Sequence, residues 1–123
     1  MATPPVVNSF WQHLAESGLL AMREVTAVSR ELAVQGVKSD EDVARLLVER
    51  GLITQFQSEW LREGRSRGLF FDEFKLLVLL GVGGMGWVYK AENTKTKEIV
   101  ALKVLLEQFK HDRGMLEIGR AHV

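Results

Sequence analysis

The sequence predicts an α+β chain, a small helical bundle followed by three antiparallel strands, and three observations carry that prediction. Apolar residues in the first half recur at helical spacing between glycines, as Met22, Val25, Val28 and Leu32 do before Gly36. From Phe74 onward the pattern changes to short runs rich in β-branched and aromatic residues, the composition of strands. Between two of those runs sit Gly81, Gly83, Gly84 and Gly86, which is hairpin rather than helix chemistry.

The helical part is expected over residues 8–64. Phe10, Trp11 and Leu14 lie on a first helix that stops at Gly18, and Met22 to Leu32 form a second that stops at Gly36. Ser39 or Asp40 caps a third, with Val43, Leu46 and Leu47 on its apolar side and Gly51 at its end. Thr54 caps a fourth, carrying Phe56, Trp60 and Leu61 and ending at Gly64. An internal echo runs through this half: Leu14-Ala-Glu-Ser-Gly-Leu-Leu20 and Leu47-Val-Glu-Arg-Gly-Leu-Ile53 are offset by 33 residues. Such a pair reads as a duplicated helical hairpin that packs on itself, or as a docking or signal-sensing module built from one. Helical repeats that bind cyclic dinucleotides share the Gly-Leu-Leu/Ile turn, but the Arg-Leu-Gly expected at their start is absent.

Residues 65–73 read as a basic linker: Arg62, Arg65 and Arg67 alternate with Gly64, Ser66 and Gly68, a solvated hinge or a contact for an acidic partner. Residues 74–116 then supply the strands. Phe74 to Leu80 is the first; Trp87 to Ala91 is the second; Asn93-Thr94-Lys95-Thr96-Lys97 is a polar turn; and Glu98 to Leu105 is the third. Within that third strand Ala101 and Lys103 share a face by the two-residue period.

Composition narrows the function. The 123 residues are 46% hydrophobic and 26% charged, an ordinary globular mixture. With no cysteine there is neither a disulfide scaffold nor a thiolate metal site, and His13, His111 and His122 lack metal-ligand spacing. Sixteen basic residues offset sixteen acidic ones, which gives no global electrostatic case for nucleic acid. The opening Met1-Ala2-Thr3-Pro4-Pro5 has no signal-peptide pattern, and the longest apolar run, Leu76 to Gly81, is too short to span a bilayer.

The glycine stretch carries the chemistry. Gly81-Val82-Gly83-Gly84-Met85-Gly86 removes side chains where a backbone must approach phosphates, Val88 offers an apolar roof for a purine, and Lys103 offers a point charge for phosphate oxygens. A dinucleotide-binding unit would continue from the third glycine into a helix, and here a strand follows. A Walker-type loop would continue into Gly-Lys-Ser/Thr, which is missing.

Leu80-Gly-Val-Gly-Gly-Met-Gly-Trp-Val-Tyr-Lys-Ala91 with Val-Ala-Leu-Lys103, 17 residues beyond Gly86, resembles the start of the eukaryotic-like Ser/Thr protein kinases of bacteria. The resemblance covers Phe74 to Leu106 and implies the first three antiparallel strands of a truncated kinase N-lobe. It implies that Gly81, Val82, Gly83, Gly84, Met85 and Gly86 cover the ATP phosphates, that Val88 and Ala101 sandwich the adenine, and that Lys103 holds the α- and β-phosphates. ATP and Mg2+ are the implied cofactors, and Ser/Thr residues of protein substrates the acceptors. A cytoplasmic kinase domain is expected, with a membrane span possible further along a longer protein, as in many relatives of this type. Two positions depart from the pattern: Val82 stands where Glu is usual, and Trp87 puts a bulky ring where a small or polar residue is usual.

No His-Arg-Asp or Asp-Phe-Gly occurs in the sequence, and Glu107 follows the third strand too soon to be the helix glutamate that partners the lysine, so this chain by itself is expected to be inactive. The alternative is a non-enzymatic regulatory or docking protein, a helical interaction module attached to a vestigial nucleotide-binding hairpin. Residues 117–123, Glu-Ile-Gly-Arg-Ala-His-Val, spell a translation of DNA that resembles a short-read sequencing adapter, so a non-native tail is expected from about Leu116.

Overall fold

A computed structural model describes residues 9–84, 86–105 and 115–120. Four helices are followed by an antiparallel sheet, the α+β class expected, and the chain divides into two compact units between Gly68 and Leu69.

The first unit contains α1 (Ser9–Ser17), α2 (Met22–Val34), α3 (Asp40–Glu49) and α4 (Gln55–Arg62). Their starts follow the side chains that can satisfy orphan N–H groups. Ser39 Oγ accepts from Asp42 N–H at 3.1 Å, and Thr54 and Gln57 cap each other, with N–H to side-chain oxygen distances of 2.9 and 3.1 Å. Glu24 performs half of the same task for Ala21, accepting its N–H at 3.0 Å. Because Glu24 and Gln57 are also 33 residues apart, the repeat extends past the turn into the second helix of each hairpin.

The repeated glycines end α1 and α3 in the same way. Gly18 (φ 81°) and Gly51 (φ 74°) both take the left-handed conformation. After α3 the Leu52 N–H reaches back to Leu47 C=O at 3.0 Å; after α1 the Ser17 hydroxyl closes the turn, donating to Leu14 C=O at 2.7 Å and accepting from Leu19 N–H at 3.1 Å. Equivalent residues of the repeat then meet in one core: Phe10 with Val43 and Leu14 with Leu47 are buried together with Val25, Leu32, Ala44, Ile53 and Leu61. Each such aliphatic side chain contributes about 1.5–3 kcal/mol by leaving water. Outside the core, Arg50 at the end of α3 makes a two-pronged ion pair with Glu31 of α2, at 3.0 and 2.8 Å.

The segment read as a solvated linker is folded back onto α4 as far as Gly68. The Arg65 guanidinium stacks over the Trp60 ring at 4.0 Å, Trp60 Nε1–H donates to the Arg67 carbonyl at 2.8 Å, and the ring edge lies beside Gly68.

The second unit is one sheet in the order β1 (Phe70–Phe71), β2 (Phe74–Gly83), β3 (Gly86–Asn93), β4 (Ile99–Leu105) and β5 (Met115–Arg120), all neighbours antiparallel. The three strands expected are β2, β3 and β4, and among the described residues β1 and β5 flank them. β1 arises because Asp72, at φ 51°, turns the chain tightly enough for Phe71 to pair with Phe74, inside the stretch assigned to the linker. β5 runs through Leu116 and Glu117, so the fold marks no boundary where the non-native tail was placed; residues 121–123 lie outside the described ones, as do Glu107 and His111.

The register of β2 on β3 shifts at Leu77 and again at Leu80, and such bulges add twist to the hairpin. The polar turn after β3 is held by Asn93, whose Oδ1 accepts from Lys95 and Thr96 N–H at 2.9 and 3.2 Å. One face of the sheet is dry: Phe74, Leu76, Tyr89, Ala91, Val100 and Leu102 are buried there.

Candidate nucleotide site

The β2–β3 hairpin closes through two residues, Gly84 and Met85, between the paired Gly83 and Gly86. Met85 lies outside the described residues. The glycines divide into two kinds. A Cβ on Gly86, whose φ is 152°, would stand 2.0 Å from the Val104 carbonyl oxygen, so the fold itself requires glycine there. Gly81, Gly83 and Gly84 have no neighbour within 4 Å of such a Cβ and no positive φ, so packing within the sheet does not demand them.

Register decides which side chains share the other face. Val88 pairs with Lys103, Lys90 with Ala101, and Gly81 with Val88; residues directly opposite in an antiparallel ladder project to the same side. Val88, Ala101 and Lys103 therefore form one cluster with Gly81 at its edge. All three side chains are half-buried, in alternation with the buried Tyr89 and Leu102. Among the described side chains, which do not include those of β5, none forms an ion pair or hydrogen bond with Lys103.

Trp87 belongs to the opposite side. It pairs with Val82, both exposed (37% and 69%), so its ring does not occupy the Val88–Lys103 face and Val82 points to solvent. Lys90, which was not singled out in the sequence, joins the cluster through its pairing with Ala101 and Val78. Its signal was the two-residue period from Val88.

Outside the sheet, His13 lines a recess of about 210 Å³ in the helical unit with Phe10, Asp40, Leu61, Arg62 and Gly64. Asp40 Oδ2 accepts the Phe10 N–H at 3.4 Å, and its buried Oδ1 has no hydrogen-bond partner among the described residues. No group of three His, Asp or Glu side chains able to hold a metal ion occurs among the described residues, and none of their helices is long and apolar enough to cross a membrane.

A segment of the chain is related in sequence to Ser/Thr protein kinases. It is 50% identical over 42 residues to the serine/threonine-protein kinase PknD of Mycobacterium tuberculosis, in two strains of that organism. The matched stretch is 34% of this chain and 6% of the relative, so the chain spans only a small part of the length of the kinases it matches. No family model and no solved structure matches the chain.

Proposed function

We propose that β2, β3 and β4 are the nucleotide-binding start of a Ser/Thr protein kinase domain, with ATP as ligand. One observation carries the reading: an apolar pair, Val88 and Ala101, and Lys103, a lysine with no partner among the described side chains, share a sheet face bordered by three glycines that the packing of the sheet does not require. Glycines kept where a side chain would fit are accounted for by a ligand that must approach the backbone there. In this reading the loop Gly81 to Gly86 covers the phosphates, Val88 and Ala101 hold the adenine, and Lys103 neutralises phosphate charge.

A longer protein carrying the catalytic loop would transfer the γ-phosphoryl group to Ser or Thr of protein substrates. Magnesium finds no ligand set among the described residues, so no step of that transfer is assigned to this chain. The helical unit, which has its own core, is the docking module of that protein.

Fluorescence titration with a trinitrophenyl derivative of ATP, displaced by unlabelled ATP, tests the nucleotide assignment. Displacement that weakens in both Lys103→Met and Val88→Glu is expected. Absence of displacement in the parent, or displacement as tight as the parent's in both variants, overturns it.

A further inference from the structure

We propose that Lys90 is a second phosphate-binding cation of this face, so that the site is a two-lysine anion cradle; the proposal rests on the reading of the face as a nucleotide site. Lys90 and Lys103 stand diagonally across the β3–β4 ladder, Lys90 opposite Ala101 and Lys103 opposite Val88, which sets their attachment points roughly 7 Å apart. Each is half-buried, and neither is paired with a carboxylate or a hydrogen-bond acceptor among the described side chains, which do not include those of β5.

The third lysine of this sheet face shows what ordinary neutralisation looks like. Lys75 is paired with Glu92 across β2 and β3 at 3.4 Å. Nothing comparable serves Lys90, although Glu92 is only two residues further along the same strand. Apart from the Lys75–Glu92 pair, the positions that flank the two lysines on this face in the β2–β3–β4 ladder are apolar or bare: Val78, Val88, Ala101 and Gly81.

Two like charges on an apolar, half-dry surface repel each other, and an anion bridging them relieves that repulsion while gaining two charge-assisted hydrogen bonds. A chain of phosphates fits the requirement better than a single carboxylate, because its negative oxygens are spread over a comparable distance.

Isothermal titration of the whole chain with ATP, tripolyphosphate and adenosine, at low and at physiological salt, tests this. Lys90→Met is expected to weaken ATP and tripolyphosphate about fivefold or more, the scale of one charge contact, with adenosine unchanged and Lys90→Arg restoring the loss. In the unmutated protein, tripolyphosphate should shift the NMR signals of the Lys90 side-chain terminus, a measurement that does not depend on any variant folding.

If Lys90→Met binds both phosphate ligands as the parent does, or those signals do not move, the Lys90 assignment is overturned. Should Lys103→Met lose ATP binding in that case, the nucleotide reading stands without Lys90. If tripolyphosphate binds as tightly as ATP and depends on both lysines, the cradle stands and the nucleotide reading falls. A chain that binds none of the three ligands overturns both.

Discussion

Gly86 and Val104 approach so closely that the sheet itself requires the third glycine of the loop. A Cβ at Gly86 would lie 2.0 Å from the Val104 carbonyl oxygen and 3.0 Å from its carbonyl carbon, both backbone atoms that cannot swing aside. Gly86→Ala should therefore destabilise the sheet unit by about 3 kcal/mol or more, the range of changes that force a strained backbone apart. Gly83→Ala meets open space and should leave stability within about 0.5 kcal/mol. Denaturant unfolding of the two variants, followed by strand circular dichroism, checks the contrast; equal losses would contradict it. ATP binding should fall in Gly83→Ala all the same, if the open glycines are there for phosphates.

The Trp60 cluster makes a second prediction, about where the helical unit ends. Its ring is stacked by Arg65 and its indole N–H is satisfied by the Arg67 carbonyl, so residues that compose like a linker belong to the bundle. A fragment of residues 1–68 should be more stable than one of residues 1–66 by about 1–2 kcal/mol, from one hydrogen bond and part of a cation–π contact. Identical melting curves for the two fragments would show that the cluster contributes nothing.

What the sequence made legible, and what it hid, follows from the range of each interaction. Ser39, Thr54 and the glycines at 18, 36, 51 and 64 act within a turn of the helix they bound, and helix ends read from them agree with the structure. That Ala101 and Lys103 share a face was equally legible, because alternation along a strand is a local rule; Val88 joins them through the register of β3 on β4, which alternation does not give. That rule also places Trp87 away from Val88 and Lys90 beside it. The bulges at Leu77 and Leu80 left no trace in the sequence, since an extra apolar residue in an apolar run looks like any other. β1 was hidden because two residues are too few to show a period, and the reach of Trp60 to Arg67 because it joins a helix to residues that look like loop.

Acid should loosen the helical unit partly through Glu31. The hydrogen bonds from Arg50 hold its carboxyl below the ordinary value of 4.5, against an opposing effect of desolvation and with smaller help from the Arg50 charge and the Gln35 amide. A carboxylate whose folded pKa is depressed contributes stability that is full above the unfolded value and is lost as pH falls through the folded one. The contribution from this pair should thus be intact above about 4.5 and disappear below it. NMR titration should show the Glu31 midpoint rising in Arg50→Gln; a midpoint that stays put would mean that the pair is not formed in solution. Because both groups are exposed, added salt should shrink the difference.

The last prediction separates binding from catalysis. Positioning and charge stabilisation supply nearly all of phosphoryl transfer, and the chain has neither His-Arg-Asp nor Asp-Phe-Gly to supply the rest. With magnesium and ATP it should phosphorylate no generic protein substrate above the level of a Lys103→Ala control, even where ATP binds. In a longer protein that joins this segment to a catalytic loop, Lys103→Met should lower the transfer rate by about a hundredfold, the effect of removing one preorganised charge from the transferring group. Nucleotide affinity should fall much less, because Val88 and Ala101 remain to hold the base. Methionine keeps an unbranched apolar stem at this half-buried position, so the fold should persist. Near-parental turnover in that variant would mean that Lys103 does not contact the phosphates, and the assignment of the whole β3–β4 face would fail with it.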